Sequence, residues 1–204
     1  RTGAMSGGSP EQALLSSACA QMGLYYDLPT GTACGMSDAK LPNFQGGAER
    51  AYTATLAASS GANIVYEAAG MYASLLGVCP ESLLLDNDVL GAALRITRGI
   101  EVNERTLSLE VIRDVCLGNK GHYLGSDQTL EVMQTEYLYP QVGDRMSPNE
   151  WSEAEKPSLL NKAIEKKQRI LREHFPRHIA DAVDQQIRQR LPIHLPPSVF
   201  GRDY

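Results

Sequence analysis

The chain has 204 residues, of which 43% are hydrophobic, 21% charged and 6% aromatic. That is long enough to bury a core, and the composition excludes disorder, collagen and coiled coil. A net charge of −5 excludes the basic footprint of a nucleic-acid binder, and no apolar run reaches the roughly 18 residues of a membrane span. Charge is unevenly spread: 9 basic against 16 acidic residues over 1–147, then 10 against 8 over 148–204. This asymmetry predicts a core domain over 1–147 and a surface-exposed helical extension over 148–204 packed on it. Cys19, Cys34, Cys79 and Cys116 form no C-x-x-C pair and read as free thiols of a cytoplasmic protein. The start, Arg-Thr-Gly-Ala-Met, is neither an initiator methionine nor a signal peptide, so the chain is expected to begin inside a domain.

Along the chain, Ser9-Pro10-Glu11-Gln12 carries a cap, a first-turn proline and a capping-box partner. It predicts a helix over 10–23 that stops at Gly23. Leu24-Tyr25-Tyr26-Asp27-Leu28 is β-prone and broken by Pro29. Residues 29–44 read as a long loop, 44–60 as a helix, and 62–67 as a short buried strand. A second loop spans 68–79, and the next helix opens at Pro80 or at Asp86, which reads as its N-cap. A further strand is expected near 121–125, and Ser126-Asp127 begins another helix.

This alternation predicts parallel strands with crossover helices, the segments 24–28 and 62–67 being adjacent. The long loops 29–44 and 68–79 both follow strands and so fall on the functional face. So few strands cannot close an eight-stranded barrel; in a (β/α)8 fold this chain is the C-terminal half. An open half-barrel exposes strand edges and apolar faces, which predicts poor solubility or oligomers if the piece is isolated. The glycine-rich run Gly3 to Gly8 has neither the lysine nor the preceding strand of a phosphate loop.

Several stretches together carry a resemblance. They are Gly8-Ser9-Pro10-Glu11-Gln12-Ala13-Leu14-Leu15, Tyr25 to Pro29, Ser37-Asp38 through Gln45, Ser60-Gly61-Ala62-Asn63 and Leu85-Asp86-Asn87-Asp88. Gly121-His122-Tyr123-Leu124 through Thr129, and Asp144-Arg145 to Trp151, continue the series. In this order they resemble the trimethylamine methyltransferase family, and most closely its branch without pyrrolysine, typified by glycine betaine–corrinoid methyltransferases. The resemblance implies a TIM barrel, of which this is the C-terminal half. It also implies methyl transfer from a small methylated amine to cob(I)alamin, the corrinoid being carried by a partner protein. The twenty ordinary letters favour a quaternary amine over trimethylamine.

A quaternary ammonium has no lone pair, so it is neither protonated nor metal-activated. Its methyl leaves by in-line attack, with a neutral tertiary amine as leaving group. No acid–base pair and no metal on this chain are therefore expected. The protein has to bind a cation, exclude water and aim one methyl outward. Aromatic faces, each contributing about 0.5–2 kcal/mol, and a carboxylate suit that task.

The candidate substrate residues are Asp38, Gln45, Glu49, Tyr66, Glu67 and His122, at or beyond the C-terminal ends of the proposed strands. Tyr25 and Tyr26, on a strand, would face opposite sides of it. Gln45, Glu49 and Tyr52 share one helix face at i, i+4 and i+7, and the resemblance also places a glutamine at Gln45. Alternative readings stand beside each: Glu49 as an acid favoured by the helix dipole, Asp38 as a loop brace, the tyrosines as wall packing. His122 either donates to a substrate carboxylate or holds its loop shut, and Arg98 and Lys120 are alternative carboxylate partners or solvated surface.

Further on, Ser147-Pro148-Asn149-Glu150 starts a helix followed by Trp151, an anchor candidate for a partner or a second subunit. Charged helices are expected over 158–174 and 177–191. Two rival functions remain open at this point. One is a non-catalytic fragment acting as a binding or assembly module, and the other is a different TIM-barrel enzyme acting on a small metabolite.

Overall fold

In the computed structural model, residues 5–118 and 121–202 are described; Gly3, Ala4 and Lys120 lie outside them. The Ser9 hydroxyl accepts from the Gln12 N–H at 3.2 Å and Pro10 occupies the first turn, so helix α1 runs Pro10–Tyr25. It passes Gly23 and ends where Asp27 turns left-handed at φ 55°. Gly23 serves a different purpose, since a Cβ there would lie 1.8 Å from Thr30 Oγ1. The glycine admits the chain beside the helix rather than ending it.

The strand expected over 24–28 is therefore absent. Leu24 and Tyr25 finish α1, and Tyr25 and Tyr26 are exposed and packed edge to face at 5.1 Å. The strand lies instead at Gly31–Ala33 (β1), in the stretch read as loop. Helix α2, Phe44–Ser59, follows and is capped by Asn43, whose side chain accepts from the Gly46 N–H at 3.2 Å. Strand β2, Ile64–Tyr66, then pairs in parallel with β1, with Gly31 opposite Ile64 and Ala33 opposite Tyr66. The parallel β–α–β order is the one expected, with a different first strand. Ile64 and Tyr66 are exposed, so β2 is not the buried strand its apolar letters predict. Of its three residues only Val65 packs against the core, so the alternate positions of β2 stay open.

Residues 68–79 are not a plain loop. They contain a small antiparallel hairpin, β3 (Met71–Tyr72) with β4 (Gly77–Val78). Helix α3, Pro80–Arg98, opens at the proline, so Asp86 is not a cap but sits buried in the helix body. The short helices α4 (Glu104–Leu107), α5 (Leu109–Leu117), α6 (Asp127–Thr135) and α7 (Pro148–Glu153) follow. Residues 121–125 form a bend and turn leading to the Ser126 cap, not a strand. Ser147 and Glu150 complete the capping box of α7, in which Trp151 is half-buried. Asp88 holds residues 141–143 against α3, accepting three backbone N–H groups at 2.7–2.9 Å.

The core of this region is built from small residues. Cys34, Ala54, Ala57 and Ala93 form it, flanked by Ala58, Val65, Ala68 and Leu90. Alanines on facing helices allow α1, α2 and α3 to pack closely around the sheet. All four cysteines are free, as expected, and burial raises the Cys34 thiol to about 11.

The chain divides into two compact units, residues 1–163 and 164–204, with the boundary inside helix α8, Leu159–Glu173. In the second unit, helix α9 covers Asp181–Arg190, shorter than expected because residues 177–180 are non-helical, with a bend at Ile179 and extended backbone at Ala180. The buried Arg202 guanidinium pairs with Asp181 and donates to the Ile179 carbonyl at 2.8 Å. Arg188 pairs with Asp184 at 2.7 Å and covers the Phe200 ring. Among the described residues no helix is long and apolar enough to cross a membrane.

Candidate functional site

Because β1 and β2 are parallel, the loops leaving Ala33 and Tyr66 emerge at the same end of the sheet, where α2 also begins. The two loops meet at Gly35, which has φ 71° and would place a Cβ only 2.1 Å from the Ala68 carbonyl oxygen. The Gly35 N–H donates to Thr53 Oγ1 at 3.0 Å, tying the first loop to α2.

Three of the six candidate residues come together here. Glu49, on the second turn of α2, accepts from the Ser37 hydroxyl at 2.6 Å and from the Asp38 N–H at 2.8 Å, both through Oε2. Its Oε1 accepts from Gln45 Nε2 at 2.8 Å. The Asp38 carboxylate is held by the hydroxyls of Ser6 at 2.9 Å and Ser74 at 3.2 Å. Tyr52, one turn beyond Glu49, donates to the Gly8 carbonyl. The shared helix face of Gln45, Glu49 and Tyr52 is thus real. Burial first, then the charges of Glu49, Asp38 and Glu11, raise the Tyr52 hydroxyl above its ordinary range.

The segment before α1 closes over this group. A Cβ on Gly8 would lie 2.4 Å from Glu49 Oε2, and one on Gly7 would meet Met36. A carboxylate packed on Gly8 opposes any phosphate there, so these glycines serve close approach. The Asp38 side chain braces its loop through Ser6 and Ser74, one of the two readings given for it, whereas Glu49 has a bracing role that neither of its readings named. Glu49 braces the loop, and its bracing sets where the Asp38 carboxylate stands.

The remaining candidates are placed differently. Tyr66 ends β2 with its ring beside Gly31, half open to solvent. Glu67 follows at φ 59° and is exposed, so it is not the acid at a buried strand end that the sequence suggests. His122 is exposed in the connection between α5 and α6, and among the described residues no hydrogen bond links it to the Asp38 group. Arg98 is occupied by Glu136 at 3.1 Å and the Thr135 carbonyl at 2.8 Å.

Reading by sequence missed Arg50, next to Glu49 on α2 and pointing inward. Its side chain is 2% exposed and lies 2.8 Å from Asp86, which is itself 4% exposed. Nε and Oδ2 meet as opposite charges without an aligned N–H···O bond. The guanidinium stacks on the Tyr72 ring at 4.0 Å and donates through Nη2 to the Met71 carbonyl at 2.5 Å. Asp86 also accepts from the Gly70 N–H at 2.7 Å, and the Tyr72 hydroxyl meets Ser82 at 2.8 Å. Burial raises the Asp86 carboxyl, against the opposing pulls of the Gly70 N–H and Arg50. Only the mid-helix position of a lone arginine on the small-residue side of α2 could have signalled it.

Chemically, this end of the sheet presents carboxylates held by neutral donors, beside a tyrosine whose hydroxyl donates to a backbone carbonyl, a setting that favours a cation. Exposed Leu41 and Phe44 lie in the same loop and the first turn of α2, and exposed Leu76 lies at the hairpin tip. A cleft of about 540 Å³ lies elsewhere, between the end of α3 and helices α4–α6. Its arginines are already paired, Arg95 with Glu136 and Arg105 with Glu131. Among the described residues no group of three or more His, Cys, Asp or Glu is close enough to hold a metal ion.

Comparison with known proteins bears on this arrangement. The model of a family described as trimethylamine methyltransferase (MTTB) matches residues 1–191. The trimethylamine methyltransferase MttB of Methanosarcina barkeri (strain Fusaro / DSM 804) is 36% identical over 167 residues, 82% of this chain and 33% of that protein. The trimethylamine methyltransferase MttB of Desulfitobacterium hafniense (strain DSM 10664 / DCB-2) is 30% identical over 181 residues, covering 89% and 36%. The glycine betaine methyltransferase of Desulfitobacterium hafniense (strain Y51) is 29% identical over 188 residues, covering 92% and 39%. The chain therefore spans about a third of the length of the curated relatives it matches.

Proposed function

We propose, because this chain belongs to the trimethylamine methyltransferase family, that it is part of a methyltransferase taking a methyl group from a small methylated amine. The substrate we infer is a glycine betaine-like quaternary amine, and the acceptor is cob(I)alamin carried by a corrinoid protein. The match over residues 1–191, with relatives named for trimethylamine and glycine betaine, carries this reading.

In the complete protein we assign the β1–α2–β2 unit to the C-terminal half of a (β/α)8 barrel, with the helices from 148 as a C-terminal extension. Homo-oligomers and a cytoplasmic setting belong to the same reading. In such a barrel the mouth lies at the C-terminal ends of the strands, the end at which Asp38, Gln45 and Glu49 gather.

Corrinoid, when presented by its protein, supplies the nucleophile that accepts the methyl. The tasks of this chain are binding, orientation and exclusion of water. Asp38 and Glu49 provide negative charge for a permanent cation that has no proton to give. Tyr52 and Tyr66 provide rings whose faces attract the positively charged methyls. Gln45, anchored on Glu49, presents a polar amide, and we assign Glu67 and His122 as outer contacts, His122 toward a substrate carboxylate. Exposed Leu41, Phe44 and Leu76 give the rim an apolar border suited to a docked macrocycle and its protein. Orientation of one methyl toward that border accelerates transfer by holding the reactants in line.

The test is methyl transfer by the full-length protein, with glycine betaine and trimethylamine as alternative donors and a corrinoid protein as acceptor. Transfer from glycine betaine is expected. Transfer from trimethylamine alone overturns the substrate, and transfer from neither overturns the function.

A further inference from the structure

We infer that the buried Arg50–Asp86 pair, with Tyr72, is a positioning device for the Asp38 carboxylate, acting through the β3–β4 hairpin; this rests on the reading of Asp38 as a substrate contact. The chain of contacts is continuous. Asp86 accepts from the Gly70 N–H and Arg50 donates to the Met71 carbonyl, so the pair grips both residues entering the hairpin. The same Met71 carbonyl accepts from the Ser37 N–H at 3.2 Å. One carbonyl thus joins the buried arginine to the loop that carries Asp38.

Beyond that point the hairpin and the loop bond to each other twice more, Ala73 N–H to the Ala39 carbonyl at 2.9 Å and Ser74 N–H to the Ser37 carbonyl at 3.4 Å. The Ser74 hydroxyl then reaches Asp38 Oδ1. Ala73, Ser74 and Leu75 are all left-handed, at φ 52°, 57° and 71°. Three consecutive non-glycine residues in that region cost backbone energy, and the conformation persists only where its surroundings impose it. The grip on Gly70 and Met71 is such an imposition, and its product is a serine aimed at the Asp38 carboxylate.

The neighbouring residues Glu49 and Arg50 therefore hold the Asp38 loop from two sides. Glu49 takes the Asp38 N–H and Ser37 hydroxyl, and Arg50 takes the carbonyl to which Ser37 is bonded. Gly46 keeps space for this, since a Cβ there would lie 3.1 Å from the Tyr72 ring and 3.2 Å from Arg50 Nη1. An ion pair that only stabilised the fold would be no better than an apolar pair of similar volume. A pair that positions a binding group differs, because its removal is felt in ligand affinity.

The experiment measures glycine betaine binding by calorimetry on the full-length protein, comparing wild type, D38N, the apolar double variant R50M/D86L, and the triple variant. Replacing both charges together avoids stranding either one. The expected result is that R50M/D86L weakens binding about tenfold, the scale of one hydrogen bond to a charged group. In the D38N background the same replacement should cost less than about twofold, because residues acting through one contact are not additive. If D38N weakens binding and R50M/D86L binds like wild type, or the two losses simply multiply, the inference is overturned. If wild type does not bind glycine betaine, or D38N binds as well as wild type, it is the functional reading of Asp38 that fails first. Should the double variant not fold, R50K keeps the charge and loses the planar reach to Met71. The same affinity pattern is then expected, with faster amide exchange at Met71–Ser74, and unchanged exchange and affinity would overturn the inference.

Discussion

Glu49 Oε2 accepts the backbone N–H of Asp38 at 2.8 Å, so one acid fixes the position of another across 11 residues of sequence. The carboxylate on helix α2 satisfies a loop donor that would otherwise be left unmade beside buried Ser37. Glu49→Ala should destabilise the protein by about 1–3 kcal/mol, the cost of stranding such groups, measured by thermal or denaturant unfolding. An unchanged midpoint would show that the brace contributes nothing.

The buried pair offers a sharper stability test. Arg50→Met alone leaves Asp86 uncompensated and should cost about 3–5 kcal/mol, whereas Arg50→Met with Asp86→Leu should recover part of that loss, the remaining cost of about 1–3 kcal/mol being the Gly70 N–H left without its acceptor. A double variant as unstable as the single one would contradict this account of the pair.

Glu67→Gln should leave stability within about 0.5 kcal/mol of wild type, because the residue is exposed. Any loss of glycine betaine affinity in that variant then reports on contact with the ligand. A large change in melting temperature would show that Glu67 has a structural partner.

Cys34 provides a pH test. Its thiol is pushed from its ordinary 9.0 up to about 11 by burial, so the folded state favours the neutral form. That contribution to stability is fully present below pH 9 and is lost as pH rises toward 11, where the unfolded thiol has already ionised. Alkylation at mild alkaline pH should modify the exposed Cys19 and Cys116 and spare Cys34 until the protein unfolds. Equal rates at all three would contradict the burial.

Helix starts were the most legible feature of the sequence, because their chemistry is local. Ser9-Pro10, Ser126 and the Ser147–Glu150 box each cap within three residues, and each cap is present. Strands β1, β3 and β4 were not legible, since segments of two or three residues have no periodicity and are set by their partners. Gly31-Thr32-Ala33 looks like loop, and only its pairing with Ile64-Val65-Tyr66 makes it a strand. The rule that long loops follow strands still brought Asp38, Gln45 and Glu49 to one place. For His122 the rule has no strand to act on, because the one expected at 121–125 is a turn. Arg50 was missed and Asp86 read as a cap for a related reason, as 36 residues separate them and neither shows its partner locally. Tyr25 and Tyr26 misled because aromatic letters favour strands, while their backbones complete a helix and its cap.

The measurement that tests the central claim most directly is the kinetics of methyl transfer from glycine betaine to the corrinoid protein, using the full-length enzyme in wild-type and D38N forms. Transfer should occur with wild type, and D38N should raise KM about tenfold while leaving kcat nearly unchanged, as expected when binding alone is weakened. Wild-type and D38N enzymes of equal KM, or no transfer from any methylated amine, would contradict the account.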